Sequence, residues 1–345
     1  MTSSTLRVRF HYDDLPFVRG CGPMTVRRHQ REAARCAGLT VVDDPRAPVD
    51  ILHANTISPM APRLFAQARE RGAAVVAHAH TTAEDMARSF TLSDVWSLGA
   101  RPHLRRVYGA ADIVIAPSEY TRSLLEKYGI GRPIEVVSNG VDLGTFGPDA
   151  ARRKNFREAL GAPDDRLVAV SVGLVLERKG VRDFIEAAHR AEGALLAWSG
   201  EMPSPLISLA PRLRLAVQRA PENCRFLGFV ENVQDVYCGA DAFAFPSMEE
   251  NQGIVTLEAA ATGLPLVLRD IPVYRGWGFK HGENALLFRD APGLAAHLRE
   301  LAAQPELRAR LGAAARKLAE DHALDRIGAR LSQVYEQALR ARKAA

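Results

Sequence analysis

Residues 245–277, FPSMEENQGIVTLEAAATGLPLVLRDIPVYRGW, carry the pattern that decides the fold. An apolar, β-rich run (ADAFAFPS, 240–247) ends at Pro246 and Ser247, and an acidic pair, Asn251, Gln252 and Gly253 follow. The next apolar residues predict a helix over about 254–261, which Gly263 and Pro265 end before a second apolar run, LPLVLRD (264–270). Strand, loop, helix and strand in that order are the unit of a parallel sheet. Glu250 and Glu258 are separated by seven residues, and Ile254 and Glu258, four apart, share a helix face. The unpaired N–H groups of the helix's first turn, with the helix dipole, make an anion site suited to a diphosphate. A carboxylate just before that turn and another one turn inside can accept hydrogen bonds from sugar hydroxyls on either side of it.

The same alternation runs outward in both directions. Strands are expected at 6–12, 49–55, 73–80, 111–118, 133–141, 167–176, 194–201, 224–230 and 285–289, separated by amphipathic stretches such as VRDFIEAAHRAE. Near-continuous Val, Ile and Ala runs predict parallel sheets covered on both faces. The polar segment GPDAARRKNFREALGAPDDR (147–166), with two prolines, breaks the chain. We expect one α/β domain over 1–150, a second over 151–325, and a C-terminal helix over 326–345 that packs back towards the first. Ligands bind beyond the carboxyl ends of the strands of open parallel sheets, so two facing sheets make a cleft.

Composition narrows the class. A chain of 345 residues, 47% hydrophobic and 25% charged, is an ordinary globular protein, which excludes long disorder and fibrous repeats. The net charge of +5 suits an anionic partner, and with aromatics at 7% no nucleic-acid platform is expected. Cys21, Cys36, Cys224 and Cys238 include no Cys-x-x-Cys pair, so thiols in a reducing compartment are expected and a zinc site is not. The opening MTSSTLRVRFHYDD lacks the features of a signal peptide, and nowhere do ~18 apolar residues run together. The expectation is a cytoplasmic protein whose contact with an anionic membrane is peripheral.

The segment PSMEENQGIVTLEAAATGLPLV (246–267) resembles the Glu-x7-Glu donor motif of retaining GT-B glycosyltransferases of glycosyltransferase family 4. VVAHAHTTAEDMARSF (75–90), APSEYTRSLLEKYGI (116–130), VVSNGVDLGTF (136–146), SVGLVLERKGVRDFIEAA (171–188) and FLGFVENVQDVYCGADAF (226–243) match in the expected order. AEDMARSF, GLVLERKGV and LRDIPVYRGW narrow the resemblance to bacterial enzymes of the 1,2-diacylglycerol 3-glucosyltransferase type. The resemblance implies a GT-B fold: α/β, two Rossmann-like doubly wound parallel-sheet domains facing across a cleft, the first for the acceptor and the second for the nucleotide sugar. It implies a retaining hexosyltransferase of glycolipid synthesis, moving a hexose from UDP-glucose or UDP-galactose to a lipid hydroxyl of diacylglycerol type. Two alternatives stay open: a soluble polyol or glycan acceptor, and a GT-B nucleotide-sugar epimerase.

The resemblance also places residues. Glu258 would hold the ribose, and Glu250 the sugar, with the backbone N–H groups of Asn251, Gln252, Gly253 and Ile254. Lys179 would contact the diphosphate. Leu174 stands where many relatives have an arginine, which makes Arg178 the candidate substitute. Gly228 to Val230 would line the base pocket through backbone groups, and Gly22 belongs to a glycine-rich loop that approaches the diphosphate. His80 would lie beside the transferred sugar, with His78 on the same strand face; His80, Lys179 and Glu250 are the catalytic candidates. Glu84 and Asp85 either face the acceptor hydroxyl or start a helix, and Arg27, Arg28, Arg31 and Arg35 form either a solvated face or a surface for anionic lipid heads. No Asp-x-Asp occurs, so no cofactor and no essential metal are expected; Lys179, Arg178 and the helix N-terminus would neutralise the leaving group.

Overall fold

The computed structural model describes residues 5–13, 22–86, 93–205 and 210–343. The first half holds β1 (Arg7–Tyr12), α1 (Gly22–Cys36), β2 (Thr40–Val41), β3 (Ile51–Asn55), α2 (Ala61–Glu70), β4 (Ala74–His78), α3 (Ala83–Met86), α4 (Ser93–Tyr108), β5 (Ile113–Ala116), α5 (Glu119–Lys127) and β6 (Ile134–Val136). The second half begins with α6 (Ala150–Leu160), β7 (Leu167–Val172), a 3-10 turn (Glu177–Lys179), α7 (Val181–Arg190), β8 (Ala194–Ser199), α8 (Pro211–Gln218) and β9 (Cys224–Gly228). It continues through α9 (Val233–Gly239), β10 (Ala242–Phe245), α10 (Ile254–Ala261), β11 (Leu266–Arg269), α11 (Pro272–Gly276) and β12 (Leu286–Phe288). Three helices close it: α12 (Ala291–Ala303), α13 (Pro305–Glu320) and α14 (Leu324–Lys343).

Each half builds a six-stranded sheet, ordered β2-β1-β3-β4-β5-β6 and β12-β11-β10-β7-β8-β9, and every pairing is parallel. The second order is the doubly wound arrangement: the chain starts in the middle at β7, moves out to β9, then returns to the other side of β7 at β10. Both faces of each sheet are covered, which is why the central strands are apolar throughout rather than alternating: β4 and β8 are buried at every residue. The strands stop short of the apolar runs that announce them. The run at 133–141 yields only Ile134–Val136, and beyond it Gly140 takes a left-handed conformation. The two-residue edge strand Thr40–Val41 is too short to show a period, and the sequence does not reveal it.

The last helix crosses back. Leu324, Ile327, Leu331, Val334, Tyr335 and Ala338 of α14 are buried with Val8, Ile51, Ala74 and Ile115 of the first sheet. The crossing with α1 is close at Gly328, where a Cβ would stand 2.0 Å from the Ala33 carbonyl oxygen. Gly328→Ala must therefore push the helices apart, with an expected loss of about 1–3 kcal/mol of stability. Denaturant titration reads this directly, and an unchanged midpoint would show that the crossing yields at no cost.

Candidate active site

In a doubly wound sheet, the loops after the two central strands separate and leave a crevice between them. Here those strands are β7 and β10, and their loops are residues 173–180 and 246–253. The two loops are knitted together. Met248 N donates to Arg178 O at 2.8 Å, and Arg178 Nη1 donates to Glu249 O at 2.9 Å. Gly180 has φ +74°, and a Cβ there would lie 2.1 Å from Pro246 O, so only glycine lets the loops approach this closely.

That approach brings the charges together. Lys179 Nζ donates to Glu250 Oε1 at 2.5 Å and stands 5.3 Å from the Phe245 ring centroid. Ser247 Oγ donates to the same carboxylate oxygen at 2.7 Å, and Arg178 Nη1 lies 3.7 Å from it. Burial alone would push the Glu250 carboxyl up, but Lys179 and Arg178 outweigh it and hold Glu250 below the usual carboxylate range. Burial lowers the Lys179 ammonium, which Glu250 opposes. Arg178 also reaches the first domain, with Nη1 2.9 Å from Asp85 Oδ1. Two cations and a buried carboxylate thus converge where the two halves of the chain meet.

Glu258 sits one turn inside α10, buried, and accepts a hydrogen bond from Tyr237 Oη at 2.7 Å. Burial pushes its carboxyl up to about 7, opposed by that hydrogen bond and by the charge of Arg28. The backbone N–H groups of Asn251, Gln252, Gly253 and Ile254 donate to no acceptor among the described residues. The side chains of Asn251 and Gln252 instead bind the first domain. Asn251 Nδ2 donates to His80 O at 2.8 Å, its Oδ1 accepts from Thr82 Oγ1 at 3.0 Å, and its backbone carbonyl accepts from Ser118 Oγ at 2.6 Å. Gln252 Nε2 donates to Ser138 Oγ at 2.6 Å, and its Oε1 accepts from Asn139 N at 3.0 Å. The side chains tie the loop across to the first domain and leave its backbone N–H groups without an acceptor among the described residues.

His80 follows β4, half-buried, and burial lowers its imidazole to about 4, so the ring is neutral near pH 7. Its ring stacks on that of His78, with centroids 4.0 Å apart. Glu84 is engaged within its own domain: Tyr128 Oη donates to it, and Arg101 Nη2 does so at 3.0 Å. Of the two acidic neighbours, only Asp85 reaches the cations. Gly22 opens α1, while residues 14–21, including Gly20 and Cys21, lie outside the described residues. The Gly228 carbonyl accepts from Gly200 N at 2.7 Å. Val230 turns its side chain into a pocket of about 340 Å³ against Phe156 and Leu160 of α6. Leu174 is half-buried, and Arg178 is the guanidinium beside Glu250.

Three of the four arginines on α1 have partners in the protein. Arg31 pairs with Asp43, Arg35 with Glu32, and Arg27 lies over the Tyr12 ring. Local acids and an aromatic therefore absorb much of that basic face. Among the described residues no helix is long and apolar enough to cross a membrane. Ser247 and Tyr237, which clamp the two glutamates, escaped the sequence reading. Both fall inside quoted motifs, but no local pattern says that their hydroxyls meet Glu250 and Glu258.

Known proteins share this architecture. Residues 152–318 match the family described as Glycosyl transferases group 1, and residues 14–145 match Glycosyltransferase Family 4. The chain is 29% identical over 318 residues to the processive diacylglycerol alpha-glucosyltransferase of Acholeplasma laidlawii, covering 91% of this chain and 93% of that one. Among solved structures, sucrose-phosphate synthase from Thermosynechococcus elongatus superposes with a TM-score of 0.79 at 19% identity, over 97% of this chain and 100% of that one. The Anabaena protein Alr3699/HepE in complex with UDP-glucose gives 0.76 at 16% identity, over 96% of this chain and 100% of that one. At those identities the likeness establishes the fold.

Proposed function

The chain belongs to the GT-B glycosyltransferases of the family 4 type, and from that premise we propose that it transfers a hexose, with retention, from UDP-glucose or UDP-galactose to a diacylglycerol-type lipid hydroxyl. The observation that carries this reading is the convergence of Lys179, Arg178 and Glu250 beside the free N–H groups of residues 251–254. Cations, helix N-terminus and buried carboxylates together fit a diphosphate flanked by hydroxylated rings. The lipid acceptor draws its support from the Acholeplasma relative, whose name gives diacylglycerol as its substrate.

A nucleoside diphosphate needs no full protonation to depart, provided fixed positive charge meets it. In this reading the anomeric carbon–oxygen bond breaks and its electron pair leaves with the diphosphate, against Lys179 and Arg178. The acceptor oxygen attacks from the same face, and its proton passes to a phosphate oxygen. Glu250 holds sugar hydroxyls, Glu258 holds the ribose, and Asp85 stands beside the cations on the acceptor side. In this reading Lys179 and Arg178 neutralise the departing diphosphate in place of a divalent ion. The domains working at an inner membrane surface would meet lipid peripherally.

The direct test is to incubate the full chain with labelled nucleotide sugars and vesicles containing diacylglycerol, and to identify the product. A labelled glycolipid of unchanged anomeric configuration is expected. Transfer to soluble polyols that ignores vesicles, or an altered nucleotide sugar formed without acceptor, would replace this reading. A covalent glycosyl adduct trapped on the protein would exclude same-face attack.

A further inference from the structure

Beneath His80 lies a buried polar cluster that the donor reading does not use. Gln30 of α1, His53 and Asn55 of β3, and His78 of β4 pack edge to edge below the cleft. Each contact constrains the next, and together they assign a proton.

Tyr12 Oη donates to Gln30 Oε1 at 2.8 Å, so the Gln30 amide nitrogen faces the cluster. Its two hydrogens go to Asn55 Oδ1 and His78 Nδ1, each 2.9 Å away. Asn55 is oriented by its own nitrogen, which faces the His11 carbonyl at 3.5 Å; turning the amide over would set two acceptor oxygens against each other. Asn55 Oδ1 is therefore an acceptor, and His80 Nε2 lies 2.7 Å from it. A bare nitrogen there would place a lone pair against a carbonyl oxygen. Gln30 could not relieve that, since its nitrogen stands 3.3 Å from His80 with both hydrogens already committed. The proton belongs on His80 Nε2. His80 Nδ1 bonds to no described residue, and the stack on His78, with planes 18° apart, holds the ring plane.

We propose that Asn55 and Gln30 are positioning residues that hold His80 as the Nε2–H tautomer, so that Nδ1 is presented to the donor sugar as a hydrogen-bond acceptor for one of its hydroxyls. This rests on the hexosyl-transfer reading above for the identity of the ligand, and on the hydrogen-bond geometry alone for the tautomer. A neutral imidazole is required, and burial supplies it by keeping His80, His78 and His53 uncharged near neutral pH.

The test is nitrogen-15 NMR of the full chain labelled at histidine, with the His80 signals identified by their loss in His80→Gln. The proposal expects a pyrrole-like Nε2 and a pyridine-like Nδ1 in the unliganded wild type, and on adding UDP-glucose a shift confined to Nδ1. A pyridine-like Nε2, or a rapid average of the two tautomers, overturns it. Asn55→Asp keeps the acceptor but adds a charge that draws a second proton onto the ring. It is expected to show both His80 nitrogens protonated and to lose at least about tenfold in donor kcat/KM, the worth of one good hydrogen bond, with an unchanged thermal midpoint. Full donor kcat/KM in a variant whose His80 is doubly protonated also overturns the proposal. Should the wild type use no hexose donor at all, the transfer reading fails, while the free-protein spectrum still decides the tautomer.

Discussion

Lys179→Met is expected to slow hexosyl transfer by about 10²–10³-fold, the usual effect of removing one fixed group that meets developing negative charge. The donor KM should change far less. On the proposed reading the ground-state diphosphate is held by Arg178 and by the N–H groups of residues 251–254, which have no acceptor among the described residues, and these survive the substitution. What is lost is the cation that meets the extra charge as the sugar–oxygen bond breaks, a difference between transition state and ground state. Methionine keeps the length of the side chain and its packing against Phe245. It leaves Glu250 with Arg178 as its remaining cation, so burial should drive the Glu250 carboxyl up and some stability will be lost. Steady-state kinetics with a parallel thermal melt separates the two effects. A kcat that falls less than about tenfold in a folded variant would remove Lys179 from the leaving-group site.

Glu258→Gln should act mainly on binding. Two ribose hydroxyls donating to one carboxylate form charge-assisted bonds worth about 1.5–3 kcal/mol each, so losing the charge should raise the donor KM by about 10–100-fold. Its pH dependence is the sharper signature. Burial pushes the Glu258 carboxyl up to about 7, and the ionised form is the one that accepts both hydroxyls. Donor affinity should therefore rise with pH through 7, by about tenfold between pH 6 and pH 8. Glu258→Gln should flatten that rise. Stability runs the other way: a carboxyl raised in the folded state stabilises below its unfolded value near 4.5, and the contribution fades as pH climbs towards 7. Isothermal titration of UDP across this range tests the binding trend, and a pH-independent affinity in the wild type would place the ribose elsewhere.

The fold was legible because its signals are local. Apolar runs such as LVAVSV and ALLAWS announce strands buried on both faces, and their alternation with amphipathic stretches announces parallel sheets. What escaped was the short edge strand Thr40–Val41, which has no room for a pattern. Local signals also located the candidate site, since residues just after strands lie at the mouth of such sheets. They could not say what each side chain would touch. Asn251 and Gln252 read as donor-loop residues, yet their side chains cross to His80 and Ser138, far away in sequence. Glu84 and Asp85 are adjacent, but one is held by Tyr128 and the other reaches Arg178.

Hydrophobic spacing and turn residues by themselves determined that this chain forms two parallel sheets and that Lys179, Glu250 and Glu258 stand at strand ends or just inside a helix. Those properties depend on neighbours a few residues away. Only the tertiary structure decided that Lys179 and Glu250, 71 residues apart, share a hydrogen bond, that Tyr237 clamps Glu258, and that the proton of His80 is set by Asn55 and Gln30. The order in which strands assemble in a doubly wound sheet brings distant loops together, and a proton's place on a ring follows from every partner around it at once.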